Sequence, residues 1–265
     1  MAIEKGIDID PSMTIEKGID IDPSWQGVIK WGGLSLFIAG VIVIVFVISV
    51  GVFQVTLPLD VEAVLEDPFV PTSLFVMTLV GELLLFPGFL ALYFTLRDDD
   101  RVKMFIATSL GTFSVIMFLA SRGLIISLGQ ISSRYLNATD PTVKAAYLAA
   151  AEMAERTQNV YSTMALIFLS LASILIGLVM LKGNIFSKSI SYIVILSGVF
   201  SIFTPFAVNL GIPLVISLIG LILMLIWQIL VGLQLYKLGK GVGRSTPPLQ
   251  ESLKGPSRSI KLHTS

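Results

Sequence analysis

Residues 32–53 read GGLSLFIAGVIVIVFVISVGVF, a run without one charged side chain. A helix rises about 1.5 Å per residue, so roughly 20 mainly apolar residues cross the roughly 30 Å hydrocarbon core of a bilayer. The run is therefore read as a transmembrane helix, from Gly32 to Phe53. Comparable runs follow at about Thr72 to Leu96, Phe105 to Ser127, Tyr161 to Leu181, Ile190 to Val208 and Leu214 to Leu235. The fold class expected is an all-α, polytopic transmembrane bundle of about six spans.

Composition agrees, because 54% of residues are apolar and only 14% charged, whereas soluble domains carry about 25% charged residues. The connections are short. RDDDRVK at 97–103 leaves room only for an antiparallel hairpin. PTVKAAYLAAAEMAERTQNV at 141–160 lies in the longest loop, 132–159; it is alanine-rich and free of internal glycine, so it reads as a helix running into the fourth span. The membrane domain then covers 28–240. Before it, the polar segment 1–27 holds IEKGIDIDPS at 3–12 and again at 15–24, a short tandem duplication with methionines at Met1 and Met13. The pairs Asp8/Asp10 and Asp20/Asp22 lack the remaining ligands of a calcium loop. The segment is acidic and its first apolar run is too long for a signal peptide. After the domain, 241–265 is a basic tail rich in glycine, proline and serine, expected to be disordered.

Lysine and arginine set the orientation. An even number of spans gathers Lys5, Lys17, Lys30, Arg97, Arg101, Lys103, Lys182, Lys188, Lys237, Lys240, Arg244, Lys254, Arg258 and Lys261 on one side. The other side keeps Arg134, Lys144 and Arg156. Both termini are thus expected in the cytoplasm of a cell-membrane protein, with the tail able to meet anionic lipid.

The same residues narrow the chemistry. Cysteine is absent and the one histidine, His263, lies in the tail. Thiolate chemistry, His-ligated metal and a Ser-His dyad inside the membrane drop out, and neither catalytic residues, metal nor cofactor are expected. A net charge of zero gives no support to a nucleic-acid partner.

Two ionisable residues remain inside spans, Glu82 and Arg122. At mid-bilayer each costs about 2.5–3.5 kcal/mol on insertion scales, so each requires a partner or water. Measured from the inner ends of their spans, they lie roughly 21 and 27 Å deep. Arginine's length bridges such a gap, and an ion pair between these adjacent antiparallel spans is the expected arrangement. It reads as a clamp between helices; a polar ligand site stays open as the alternative. Pro87 is expected to kink the second span near Glu82, and Pro205 to bend or end the fifth. Gln228 and Gln234 read as interhelical hydrogen-bonding groups, Trp227 and Tyr236 as interface markers, and Ser170, Ser173 and Gly177 as a close-packing face. Asn137-Ala138-Thr139 is a formal glycosylation sequon.

AAYLAAAEMAE at 145–155, IGLVMLKGNIFSKSISYIVILSG at 176–198 and IWQILVGLQLYKLGK at 226–240 resemble a prokaryotic membrane family known as domain of unknown function 4386. The resemblance covers the outer loop helix and the last three spans. It implies a six-span helical protein of the cell membrane and no activity. A non-enzymatic structural, accessory or regulatory protein is the function expected; a small transporter or channel with Glu82 and Arg122 at its site is the alternative.

Overall fold

The computed structural model describes residues 23–53, 60–204 and 214–241. The N-terminal duplication as far as Asp22, the Pro205 bend and the tail beyond Gly241 lie outside the described residues. Among the described residues the fold has seven α-helices: α1 Gln26–Val52, α2 Val61–Glu66, α3 Phe69–Leu96, α4 Arg101–Asn137, α5 Pro141–Lys182, α6 Lys188–Ser201 and α7 Leu214–Gly239. No strand occurs among the described residues.

Local chemistry sets the boundaries. Asp60, Asp100, Asp140 and Ser187 cap the starts of α2, α4, α5 and α6, each accepting a hydrogen bond from a backbone N–H of the first turn. Pro141 opens α5, where its missing N–H costs nothing. α3 runs unbroken through Pro87, although the proline denies the Leu83 carbonyl its usual donor.

α1, α3, α4, α5 and α7 are long and apolar enough to cross a membrane. α6 has 14 residues as described, a rise of about 21 Å. The six long elements pack in a closed ring, each on its sequence neighbour and α7 back on α1. Successive members are antiparallel: Gly32 of α1 abuts Pro87 and Ala91 of α3, whereas Gly81 abuts Ile42. Gly33 and Gly239 abut Tyr236 and Lys30, so α7 ends where α1 begins. One end of the bundle therefore holds the start of α1, the turns 97–100 and 183–187, and the end of α7. Inside lies one apolar core with contributions from every ring member, Leu36, Phe89, Val115, Ile176, Val194 and Trp227 among them. Outside, apolar side chains such as Ile48, Phe113, Leu178 and Ile222 are exposed, as lipid-facing positions are.

Three stretches depart from the sequence expectation. The third span does not stop near Ser127: α4 continues to Asn137, because Leu128 is buried against α2 and α5 and gives the helix an apolar stripe beyond bilayer length. The acidic loop after the first span contains α2, which packs on α4 and α5. Trp227 is not at an interface but fully buried in the core. At 37 and 42 residues, α4 and α5 exceed a 30 Å hydrocarbon layer by roughly 25 Å or more. They form a projecting hairpin with its own small core of Val64, Leu65, Phe75, Ile125, Leu128 and Ala151. The Ser132 hydroxyl donates to the Leu65 carbonyl at 2.5 Å, pinning α2 to the hairpin.

Candidate functional site

Glu82 lies on the buried stripe of α3 with Phe75, Thr78 and Leu85; Arg122 lies on α4 between Phe118 and Ile125. These spacings of three, four and seven put each charge on the face its helix turns toward the other. The two side chains meet. Arg122 Nε and Nη2 donate to the same carboxylate oxygen, Glu82 Oε1, at 3.0 and 2.7 Å. Only 12% of the arginine side chain and 11% of the glutamate's is exposed. The guanidinium carbon lies 5.1 Å from the Phe75 ring centre and 5.8 Å from that of Phe118. Both rings are buried and both belong to the apolar interior, so the cation is held by aromatic faces as well as by its counter-ion. The pair sits where the apolar bundle gives way to the projecting hairpin, since Phe75 belongs to the hairpin's core and Phe118 to the main one.

The pairing is lopsided. Both donors converge on Oε1, and the buried Oε2 has no hydrogen-bond partner among the described residues. A buried charge-paired oxygen without a donor is costly, whereas a fork-to-fork pair would have used both oxygens.

Beginning at Ser121, the residue next to Arg122 on α4, is a second polar cluster that the sequence reading missed. Gln158 Nε2 on α5 donates to Ser162 Oγ at 2.9 Å and across to Ser121 Oγ of α4 at 3.1 Å. The two hydroxyls share a hydrogen bond of 2.7 Å. Gln158 and Ser162, four residues apart, carry a weak helical signal, but Ser121 gives no hint of its partner until α4 and α5 are placed in register. Elsewhere, Gln234 Nε2 donates to the Ile185 carbonyl at 2.6 Å and ties α7 to the α5–α6 turn. Gln228 is buried, with its Oε1 unpartnered among the described residues. Gly177 and Ser170 do face α6, at Ile195 and Gly198.

At the end that holds the start of α1 and the end of α7, Asp100 receives Lys103 Nζ at 2.9 Å and Lys182 Nζ at 3.0 Å, joining the α3–α4 turn to the end of α5. These bonds hold its carboxyl well below the ordinary aspartate range. Its neighbour Asp99 lies against Gly183, where partial burial, and then the charge of Asp98, push its carboxyl up.

Two surface cavities lie on the hairpin. One of about 590 Å³ is lined, among the described residues, by Glu152, Met153, Arg156, Val160 and Met164 and their neighbours on α5. The other, of about 350 Å³, lies around Arg134, Asn137 and Tyr147. Glu82 and Arg122 line neither. Among the described residues no group of three or more His, Cys, Asp or Glu is placed to hold a metal ion. Compared with protein-family models, curated proteins and solved structures, the chain has no significant match.

Proposed function

We propose that this is a six-pass protein of the cell membrane with both termini cytoplasmic, non-enzymatic, acting through contacts as a structural, accessory or regulatory component. The observation that carries this reading is the Glu82–Arg122 pair: buried, enclosed by Phe75 and Phe118, and outside both hairpin cavities. It serves as an internal clamp between α3 and α4 at the base of the projecting hairpin. Six passes are supported by the alternating directions of the ring and by the apolar sequence that continues past Ser201 to Val208. The likeness of 145–155, 176–198 and 226–240 to the domain of unknown function 4386 family points the same way. The positive charge of the tail 241–265 supports contact with anionic lipid, and no nucleic-acid partner is proposed.

The second reading, a small transporter or channel with its site at Glu82 and Arg122, draws on the unpartnered Oε2, which is free to accept a proton or a donor group. Thermal unfolding in detergent separates the two. Glu82→Arg and Arg122→Glu each oppose like charges and should destabilise by about 3–5 kcal/mol, while the double swap recovers most of the loss. Single reversals that leave stability unchanged would remove the clamp and make the pair a ligand site.

A further inference from the structure

The bundle end that holds the start of α1 and the end of α7 is divided. On the α3–α4–α5 side three cations meet carboxylates: Arg97 faces Asp98, and Asp100 holds Lys103 and Lys182. On the α1–α7 side none does. Neither α1 nor α7 contains an aspartate or glutamate, and Lys30, Lys237 and Lys240 form no ion pair with a described carboxylate. The backbones are unusually close here. A Cβ on Gly33 would lie 2.5 Å from the Tyr236 nitrogen, and one on Gly239 would lie 2.4 Å from that of Lys30. This approach brings the like charges of Lys30 and Lys240 to one seam, at a cost that an anion would offset. Aromatic rings frame it. Lys240 Nζ is 4.6 Å from the Tyr236 ring centre and Lys30 Nζ is 5.7 Å from that of Trp31. Lys30 and Lys240 both lie within electrostatic reach of the Tyr236 hydroxyl. Trp31 is 65% exposed on the outside of the bundle, as an indole at a membrane–water boundary is.

We infer that the seam formed by Lys30, Tyr236 and Lys240, beside Trp31, holds the phosphate headgroup of an anionic phospholipid. This rests on the membrane-spanning reading above. The lysines supply the charge, the phenol a hydroxyl donor, and the indole the contact with the upper acyl chain. The proposal differs from a diffuse attraction to the tail, since the site lies on the folded ends of α1 and α7.

Native mass spectrometry of the full-length protein in detergent, titrated with phosphatidylglycerol and with phosphatidylcholine, tests it. Phosphatidylglycerol should bind in preference. Each lysine contributes up to about fivefold, so Lys30→Gln/Lys240→Gln should weaken its binding by about tenfold or more. The control Lys103→Gln/Lys182→Gln, which removes two paired cations from the same end, should change it by less than about twofold. Inorganic phosphate at matched ionic strength should leave the lipid adducts in place; displacement by phosphate would overturn the lipid assignment in favour of a soluble anion. Equal binding of both lipids, or an equal loss in the control, would overturn the site alone. A protein that stays soluble without detergent and retains neither lipid would overturn the membrane reading beneath it.

Discussion

Glu82 and Arg122 show how far a single residue pair can be read from a chain. Their presence in apolar spans demands a partner, and helical rise places them near enough to be each other's. The distribution of hydrogen bonds over the two carboxylate oxygens is another matter, since it depends on the rotation of α3 against α4 to within a fraction of a turn. Asp100 is a simpler case. It caps α4 and receives two lysines, and its carboxyl is held below the ordinary range. A depressed carboxylate stabilises the fold above its unfolded pKa of about 3.9, and the contribution disappears as pH falls through the folded value. Asp100→Asn keeps the cap and removes the charge. It should lower the melting temperature at about pH 7, and the gap to the native protein should narrow below about pH 4. A gap of constant size down to about pH 2 would show that the charge is not what the two lysines recognise.

Helices meet in this bundle at glycines. Gly33 and Gly232 bring α1 onto α7, Gly32 and Gly88 bring α1 onto α3, and Gly177 and Gly198 bring α5 onto α6. In lipid, association relies on van der Waals contact and close backbone approach rather than on a hydrophobic difference, so small residues at crossings carry much of it. The same substitution should therefore have opposite effects at two positions. Gly33→Ala places its methyl 2.5 Å from the Tyr236 nitrogen and should destabilise by about 1–3 kcal/mol as the helices part. A Cβ on Gly123 of α4 meets nothing within 4 Å, and Gly123→Ala should be neutral or stabilise by up to about 1 kcal/mol. Thermal melts of both variants in one detergent check this; equal shifts would mean that the crossings are looser than the backbone approach implies.

The whole molecule alternates in direction, with α7 ending beside the start of α1. Because the chain has no cysteine, its topology is open to direct labelling. Single cysteines at Ser24, Asn184 and Gly241 should react with a membrane-impermeant maleimide only from the cytoplasmic side. One at Asp140, at the tip of the hairpin, should react only from the opposite side. Labelling of positions 24 and 241 from opposite sides would mean an odd number of passes, and the proposed topology would be lost.

Composition and run length alone determined that the chain is helical and apolar enough for lipid, because continuous hydrophobic length is a local property that survives without knowledge of any neighbour. They also isolated Glu82 and Arg122, since a charge in an apolar run stands out wherever it ends up. Only the tertiary structure decided the rest. The extension of α4 to Asn137 and the projecting hairpin depend on burial of Leu128 and Ile125 against α2 and α5, a face too polar to register as a span. The Ser121–Gln158–Ser162 cluster and the α1–α7 lysine seam join residues far apart in the chain, and such contacts exist only once the ring has closed. Trp227 went to the core rather than the interface for the same reason: depth along a helix is legible in sequence, whereas the direction a side chain faces is set by which helix packs beside it.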